Sequence, residues 1–370
     1  MPQYTCAKCQ KTFAQIGHYN THIGRKRPCK APAIVAVEEP VATVATTNPT
    51  TTTTTTNQTI KPLLKYVGGK TQILKEVLTR FPPASTIRNY YEPFVGGGSV
   101  LFAFLENNPA FKNKVIAADL NPRLINFYKV IQSRVEEFLI EIKKLVEAYN
   151  AIKAVAGADA DGASQESFYY TQRVRYNTEA ITDDGGSAGA GSNSVLNAAL
   201  FLFLNKTCFR GLHRCGPRGF NVPFGHYKNP AIYDEAHVRT VSALLARVEL
   251  RCGDFSAVCA DAGPGDFVYL DPPYVPVDRT GSEDDDKKDS FTSYNLDGFG
   301  PADHERFFTF CEGLRSEEKG VRWLMSNSEV ALVTSRFTAE KGYETAVVSC
   351  RRAISPKEPG SRVNEVLIRC

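Results

Sequence analysis

The chain has 370 residues, is 42% hydrophobic, and carries ten cysteines and a net charge of +4. That is the balance of a globular protein long enough for two or three domains, and no apolar run approaches the roughly 18–20 residues a membrane-spanning helix needs. The opening MPQYTCAKCQ has no charged-then-apolar leader, so an intracellular protein, cytoplasmic or nuclear, with reduced thiols is expected.

The first thirty residues are a Cys/His segment. Cys6 and Cys9 form a C-x2-C pair, Phe13 and Tyr19 follow as a small apolar core, and twelve residues separate Cys9 from His22. This is the cadence of a zinc finger, in which a second histidine normally follows after roughly three to five residues. Here Cys29 follows His22 after six instead. The expected ligands of a structural Zn2+ are therefore Cys6, Cys9, His22 and Cys29, with His18, on the same helical face as His22, competing. The finger resembles short Cys-Cys-His-Cys fingers appended to enzymes of large DNA viruses. The segment also holds Lys8, Lys11, Arg25, Lys26, Arg27 and Lys30 and no acid, and residues 205–230 repeat the bias with Lys206, Arg210, Arg214, Arg218 and Lys228. Two acid-free basic patches in a near-neutral chain point to a polyanionic partner. Residues 31–60, ending in an almost unbroken Thr run, have little to bury and are expected to form a flexible tether.

From Lys61 onward the pattern alternates. Residues 71–80 have helical period, and 90–94 read as a strand followed by Gly96-Gly97-Gly98 and a helix opening at Ser99. Residues 115–118 read as a buried strand ending in Asp119, and Pro122 suits the first turn of a helix running to about residue 148. Strand, glycine turn, helix and strand in this order predict a doubly wound, mostly parallel α/β sheet, Rossmann-like in class. The pattern then breaks into an Ala/Gly/Ser/Asp-rich stretch around the helical string SFYYTQRVRYN, an apolar helix at 195–204, and turns at Gly211, Gly216 and Gly219 that suggest a hairpin. Sheet logic resumes at 248–251, 266–270, 322–325, 345–349 and 365–368. The expected organisation is a finger (1–30), a linker (31–60), a catalytic domain (61–122 and 226–370) and a mainly helical insert (123–225).

Two strings carry chemistry. Glu92-Pro93-Phe94-Val95-Gly96-Gly97-Gly98-Ser99 closes a strand and opens a helix; glycines let the backbone approach a ligand, and the helix N-terminus offers free N–H groups. Asp119 ends the next strand, where an acid can hold ribose hydroxyls. The strict G-x-G-x-x-G spacing is absent, which favours S-adenosylmethionine over a nicotinamide dinucleotide. The second string, Asp271-Pro272-Pro273-Tyr274, follows the apolar run Phe267-Val268-Tyr269-Leu270. An exocyclic amine is a poor nucleophile because its lone pair is delocalised; a carboxylate and a proline-fixed carbonyl can accept its two hydrogens and favour attack on a methyl sulfonium, while the tyrosine stacks on an extruded base.

With these strings in view, the chain from Lys61 to its end resembles the Dam-type DNA adenine-N6 methyltransferases. Lys65-Tyr66-Val67-Gly68-Gly69-Lys70 resembles the family's opening K-W-x-G-G-K, and Ala118-Asp119-Leu120-Asn121 its A-D-x-N. The resemblance implies that Tyr66, Lys70, Phe94, Gly96, Gly98, Asp119 and Asp271 bind the cofactor, with Asp254 and Phe255 adding an acid and an aromatic to its adenine pocket. It assigns residues 204–225, with Tyr169, Tyr170, Arg173 and Asn177 before them, to duplex-DNA recognition. There Arg214 would read a base, Leu212 and Pro223 shape its surroundings, Phe209 wedge into the stack, and Arg210 and Asn221 contact DNA. The hairpin Cys215-Gly216-Pro217-Arg218-Gly219 is about one residue short of the family pattern, residues 155–192 are expanded, and the charged loop 278–289 is expected to be either a mobile lid over DNA or a plainly disordered segment. The implied enzyme is a monomeric, S-adenosylmethionine-dependent methyltransferase acting on adenine N6 by base flipping. The same tetrapeptide could serve cytosine N4, RNA or a protein amide, and a finger-bearing DNA-binding protein with an inactive body is the non-enzymatic alternative.

Overall fold

Alternation along the strands builds the core. In the computed structural model, which describes residues 4–6, 12, 13, 22, 60–66, 68–154, 164–178, 194–276, 299–351 and 362–370, the chain divides into two units, Met1–Asn57 and Gln58–Cys370. In the first unit, β1 (Tyr4–Thr5) pairs antiparallel with β2 (Thr12–Phe13), and Cys6 and His22 are buried. Cys9, His18 and Cys29 and residues 31–59 of the linker lie outside the described residues, as does the charged loop 278–289.

The second unit begins its regular structure with helix α1 (Leu74–Leu78), then β3 (Tyr90–Glu92), α2 (Ser99–Asn107), β4 (Val115–Asp119), α3 (Pro122–Ser133) and α4 (Val135–Ala154). Next come α5 (Gln165–Thr178), α6 (Val195–Thr207) and the hairpin β5 (Cys215–Gly216) and β6 (Gly219–Phe220). The chain then runs through α7 (Glu235–Leu245), β7 (Glu249–Cys252), α8 (Phe255–Val258), β8 (Phe267–Leu270), α9 (Pro301–Arg315), β9 (Arg322–Ser328), α10 (Ala331–Thr334), β10 (Glu344–Arg351) and β11 (Arg362–Arg369).

Seven strands form one sheet in the order β10-β11-β9-β8-β3-β4-β7. The five from β9 to β7 run parallel, and β11 and β10 close the edge antiparallel. Because successive strand residues face opposite sides, Tyr90, Val115, Ala117, Phe267, Tyr269 and Leu324 join the core beneath α2, α3 and α7. Their neighbours Tyr91, Ile116, Ala118, Val268, Leu270 and Trp323 join a second core containing Phe255, Phe307, Phe308 and Val333 of α8, α9 and α10. Helices on both faces of a mostly parallel sheet are the doubly wound architecture expected from the alternation. At the strand N-termini Arg88 forms a bidentate pair with the buried Asp266 (2.8 and 2.7 Å), and Asn89 adds a bond to the same carboxylate at 2.9 Å. These bonds fix β3 against β8 at the end away from the glycine turn.

The single helix expected from Pro122 to about residue 148 is two, α3 and α4, broken at Arg134 (φ −136°, ψ 39°). Asn121 caps the first, its side chain accepting from the N–H groups of Arg123 and Leu124. The strand expected over 90–94 stops at Glu92, because Pro93 has no N–H to continue the ladder.

Candidate active site

Strand order reverses between β3 and β8: β4 lies beyond one and β9 beyond the other. Such a switch point opens a crevice beyond the strands' C-terminal ends, and both chemical strings sit there. A cavity of about 330 Å³ is lined by Tyr66, Lys70, Phe94, Gly96, Asp119, Asp254, Phe255, Asp271, Pro272, Pro273 and Tyr274.

The glycine turn forms one wall. Gly96 and Gly98 adopt positive φ (47° and 76°), and a Cβ at Gly98 would lie 2.8 Å from the Phe102 ring. A side chain there is excluded both by conformation and by space. Gly98 itself lies behind the cavity wall as the residue before α2. The turn is held by Val95 N–H to Ala118 O (2.8 Å) and by the Tyr128 hydroxyl to Gly96 O (2.7 Å). Asp119 accepts from Gly96 N–H on Oδ2 (3.1 Å) and from Asn121 N–H on Oδ1 (2.9 Å). Burial raises its carboxyl to about 6 against the pull of those bonds. Each oxygen keeps acceptor capacity for a hydroxyl pair. A glycine cradle beside an acid at a strand end fits an adenosine-containing methyl donor.

The opening motif packs directly against this turn, a Cβ on Gly97 lying only 3.0 Å from Tyr66 Cβ. Lys70 N–H donates to Ser99 Oγ (3.2 Å), and the lysine's Nζ donates to Gly68 O (2.7 Å) and pairs with Asp271 Oδ1 (2.8 Å). The same ammonium lies 4.7 Å from the centre of the Tyr274 ring. Burial raises Asp271 to about 6; the Lys70 charge opposes that shift and Glu365 adds to it. Asp271 is therefore ionised at neutral pH and loses its charge as the pH falls through about 6. Tyr274 donates its hydroxyl to Glu365 Oε2 (2.7 Å), and Cys350 Sγ lies 3.1 Å from the other oxygen. The Tyr274 ring is thus pinned from β11.

Asp254 caps α8 and is taken up by Arg306 of α9 through two bonds (2.9 and 2.8 Å). This pairing, aided by Ser256, lowers its carboxyl to about 2. The Arg306 guanidinium also lies 4.4 Å from the Phe255 ring, and the Phe255 and Phe94 rings lie 5.5 Å apart, tilted by 31°.

The expected DNA-reading residues lie on the segment after α6. Phe209 is exposed (43%), and Arg210 beside it has φ 56°, unusual for a residue with a side chain. Phe209 N–H donates to Pro223 O (2.8 Å), and Arg214 Nε donates to Asn221 Oδ1 (2.7 Å). Leu212 is half-buried at the base of the segment. Helix α5 carries the hairpin on one face. Tyr169 and Arg173 donate to Val222 O (2.7 and 3.1 Å), and Asn177 bonds both the N–H and the C=O of Phe220 (2.9 Å each).

Several residues in these networks carried no sequence motif. Arg306 and Phe299 line the cavity from a stretch where no helix was expected. Asn205 clasps Lys65 through both its N–H (2.8 Å) and its C=O (2.7 Å), joining the opening motif to α6; its string had been read only as part of the insert. Glu92 lies in the glycine string but had no assigned role, and it lines the cavity 2% exposed.

A switch-point crevice with a glycine cradle, a strand-end acid and an Asp-Pro-Pro-Tyr wall defines a Rossmann-like amino-methyltransferase. The profile of the D12 class N6 adenine-specific DNA methyltransferases matches residues 66–349, and the chain belongs to that family. The type II methyltransferase M.MjaIII of Methanocaldococcus jannaschii is 38% identical over 273 residues, covering 73% of this chain and 84% of that protein. A DNA adenine methylase of Serratia marcescens is 31% identical over 309 residues, covering 83% and 97%. The retron Ec67 DNA adenine methylase of Escherichia coli is 32% identical over 278 residues, covering 74% and 80%. The enzyme is an adenine-specific DNA methyltransferase whose methyl donor is S-adenosylmethionine.

Proposed function

We propose that the crevice holds S-adenosylmethionine against the glycine turn and receives a target adenine, turned out of duplex DNA, at Asp271, Pro272, Pro273 and Tyr274. The observation that carries this is the meeting of the two strings in one cavity. When bound, S-adenosylmethionine supplies an electrophilic methyl group. Asp119 takes the ribose hydroxyls. Phe94 and Phe255 flank the adenine ring of the cofactor, with Asp254 held for it by Arg306. Tyr66 and Lys70 close the side nearest Asp271. The Asp271 carboxylate and the Pro272 carbonyl accept the two amine hydrogens of the target, drawing the nitrogen lone pair out of conjugation. Lys70 keeps Asp271 ionised, and so an acceptor, at neutral pH. Tyr274, fixed by Glu365, gives the base a stacking face. Residues 123–225 act as the recognition insert, Arg214 reading a base edge, Phe209 wedging the stack, and Arg210, Leu212, Asn221 and Pro223 fitting the groove around them.

The test is incubation of the chain with methyl-labelled donor and duplex DNA, followed by nucleoside analysis. Label in N6-methyladenine, abolished by Asp271→Ala, is the expected result. Label in N4-methylcytosine, RNA or a protein amide instead, or methylation surviving Asp271→Ala, would overturn the reading.

We also propose that the N-terminal unit is a zinc finger held by Cys6, Cys9, His22 and Cys29, adding non-specific DNA affinity. The short β1–β2 pair beside Cys6 and the burial of both Cys6 and His22 support it. Among the described residues no group of three potential ligands is placed to hold a metal ion; two of the four proposed ligands lie outside them. Metal analysis should find about one zinc per chain, lost in Cys9→Ser; a zinc-free chain would remove the finger.

A further inference from the structure

The charges of the crevice do not balance. Five carboxyls line it, those of Glu92, Asp119, Asp254, Asp271 and Asp303, against two cations, Lys70 and Arg306; Asp303 lies 3.9 Å from Arg306. Lys70 is committed to Asp271 at 2.8 Å and Arg306 to Asp254 at 2.8 Å. Asp119 rests on two backbone N–H groups and opens to the cavity. Glu92 is different. It is 2% exposed at the C-terminal end of β3, and its Oε2 accepts from the neutral phenol of Tyr90 at 2.6 Å. Among the described residues no lysine, arginine or histidine pairs with it.

The groups facing Glu92 can be named element by element. Its own strand supplies Tyr90. From β8 and the turn after it come Tyr269 and the carboxylate of Asp271. Helix α3 supplies Tyr128, β4 sets Ala117 alongside in the ladder, and α2 offers the Leu101 backbone. Lys70 faces the same cavity but is held by Asp271. Burial pushes the Glu92 carboxyl up to about 8, the Tyr90 bond opposing that shift and the Asp271 charge reinforcing it.

We propose that Glu92 reads the charge of the ligand: it holds a proton while the cavity contains no cationic ligand and gives that proton to solvent when the sulfonium donor enters. The donor, with a sulfonium and an ammonium against one carboxylate, is a net cation. The product, a thioether with the same amino-acid end, has no net charge. An ionised Glu92 therefore pairs with the donor and not with the product, and methyl transfer itself removes the charge that kept Glu92 ionised. Reprotonation of Glu92 from solvent then favours product release. The inference rests on reading the crevice as the donor site.

The experiment is calorimetric titration of the full chain with S-adenosylmethionine and separately with S-adenosylhomocysteine at pH 7, in buffers of different ionisation enthalpy. A nearby cation lowers a carboxyl by roughly 1–3 units, so donor binding should release about half to one proton more than product binding. In Glu92→Gln that difference should vanish and the donor's affinity should fall about tenfold relative to the product's. Comparing variant with wild type cancels protons exchanged by the ligands themselves. Tyr90→Phe gives a second reading that does not depend on the first variant folding: without the phenol the carboxyl titrates higher, and donor-linked release at pH 8 should exceed the wild type's. Equal release by donor and product, release persisting in Glu92→Gln, or an unchanged Tyr90→Phe would each overturn the inference while leaving the donor site standing. Binding of neither ligand would remove the donor-site reading and this inference with it.

Discussion

The crevice and the hairpin proposed to read DNA are built on opposite plans. In the crevice, Lys70 meets Asp271 and Arg306 meets Asp254, while the Tyr274 hydroxyl is fixed by Glu365. In the hairpin, strands of two residues carry a short ladder, Arg214 bonds to Asn221 on an exposed surface, and Arg210 sits at φ 56°. Electrostatic catalysis needs groups already in place, because reorganising them during the reaction costs the rate acceleration. Base reading needs side chains that exchange an internal bond for a base edge when DNA arrives. The difference predicts where substitutions cut rate and where they cut choice of site.

The largest effect is expected at the most rigid point. Asp271→Ala should lower kcat for DNA methylation by about 10³-fold or more, with donor affinity, followed calorimetrically, changed far less. A kcat within tenfold of wild type would place the chemistry elsewhere and break the contrast. At the hairpin the expectation inverts. Arg214→Ala should cost about 1–3 kcal/mol of discrimination at one base pair, roughly 10–100-fold in relative kcat/KM between cognate and substituted duplexes. The rate on saturating cognate DNA should fall less than the discrimination does. A uniform loss on every sequence would make Arg214 a phosphate contact rather than a reader.

The same contrast explains what could be read in advance. The crevice walls come from contiguous strings, and glycines at Gly96 and Gly98 or prolines at Pro272 and Pro273 leave a local signature because backbone geometry demands them. The sheet was legible for a similar reason: buried parallel strands are short apolar runs between turn signals. What could not be read is what long-range contact supplies. Arg306 reaches Asp254 across 52 positions and Glu365 reaches Tyr274 across 91, and neither sits in a string that marks its partner. Helix α9 went unseen because it follows a charged, low-periodicity stretch. The break between α3 and α4 falls at Arg134, with no proline or glycine to announce it. Asn205 acquires its role only through Lys65, 140 positions away, which no local string marks.

A smaller effect sharpens the electrostatic half of the comparison. Asp271 has its carboxyl raised by burial to about 6, with Lys70 opposing the shift. A carboxylate that must be ionised to accept the amine gives activity that falls as pH drops through that value. Lys70→Met removes the opposing charge, so the acid limb of kcat/KM should move upward by about one unit or more. Near pH 7 the loss should be about twofold for a shift of one unit and about tenfold for two, and should shrink as pH rises toward 9. An equal loss at every pH would mean that Lys70 acts on geometry and not on the charge of Asp271.

The smallest effect tests whether the hairpin is carried or free. Asn177 uses both ends of its amide on one residue, donating to Phe220 C=O and accepting from Phe220 N–H at 2.9 Å. That is the pairing a neighbouring strand would give, and among the described residues β6 has a partner strand on only one side. Gly219 fits closely here, since a Cβ on it would lie 2.6 Å from Asn177 Oδ1. Asn177→Ala strands a donor and an acceptor, but the two bonds are only partly buried, so water can replace part of the loss and the cost sits near the low end of about 1–3 kcal/mol. Because the bonds orient the proposed reading surface and not the crevice, the loss should enter through DNA binding. KM for DNA should rise a few-fold while kcat at saturation stays within about twofold and donor binding is unchanged. Asn177→Asp keeps the acceptor for Phe220 N–H but turns the donor toward Phe220 C=O into a repelling oxygen. It should therefore bind DNA no better than the alanine variant, although it restores one of the two bonds. Should Asn177→Asp recover wild-type KM, the bond to Phe220 C=O would be dispensable and the hairpin would be held by α5 through Tyr169 and Arg173 alone.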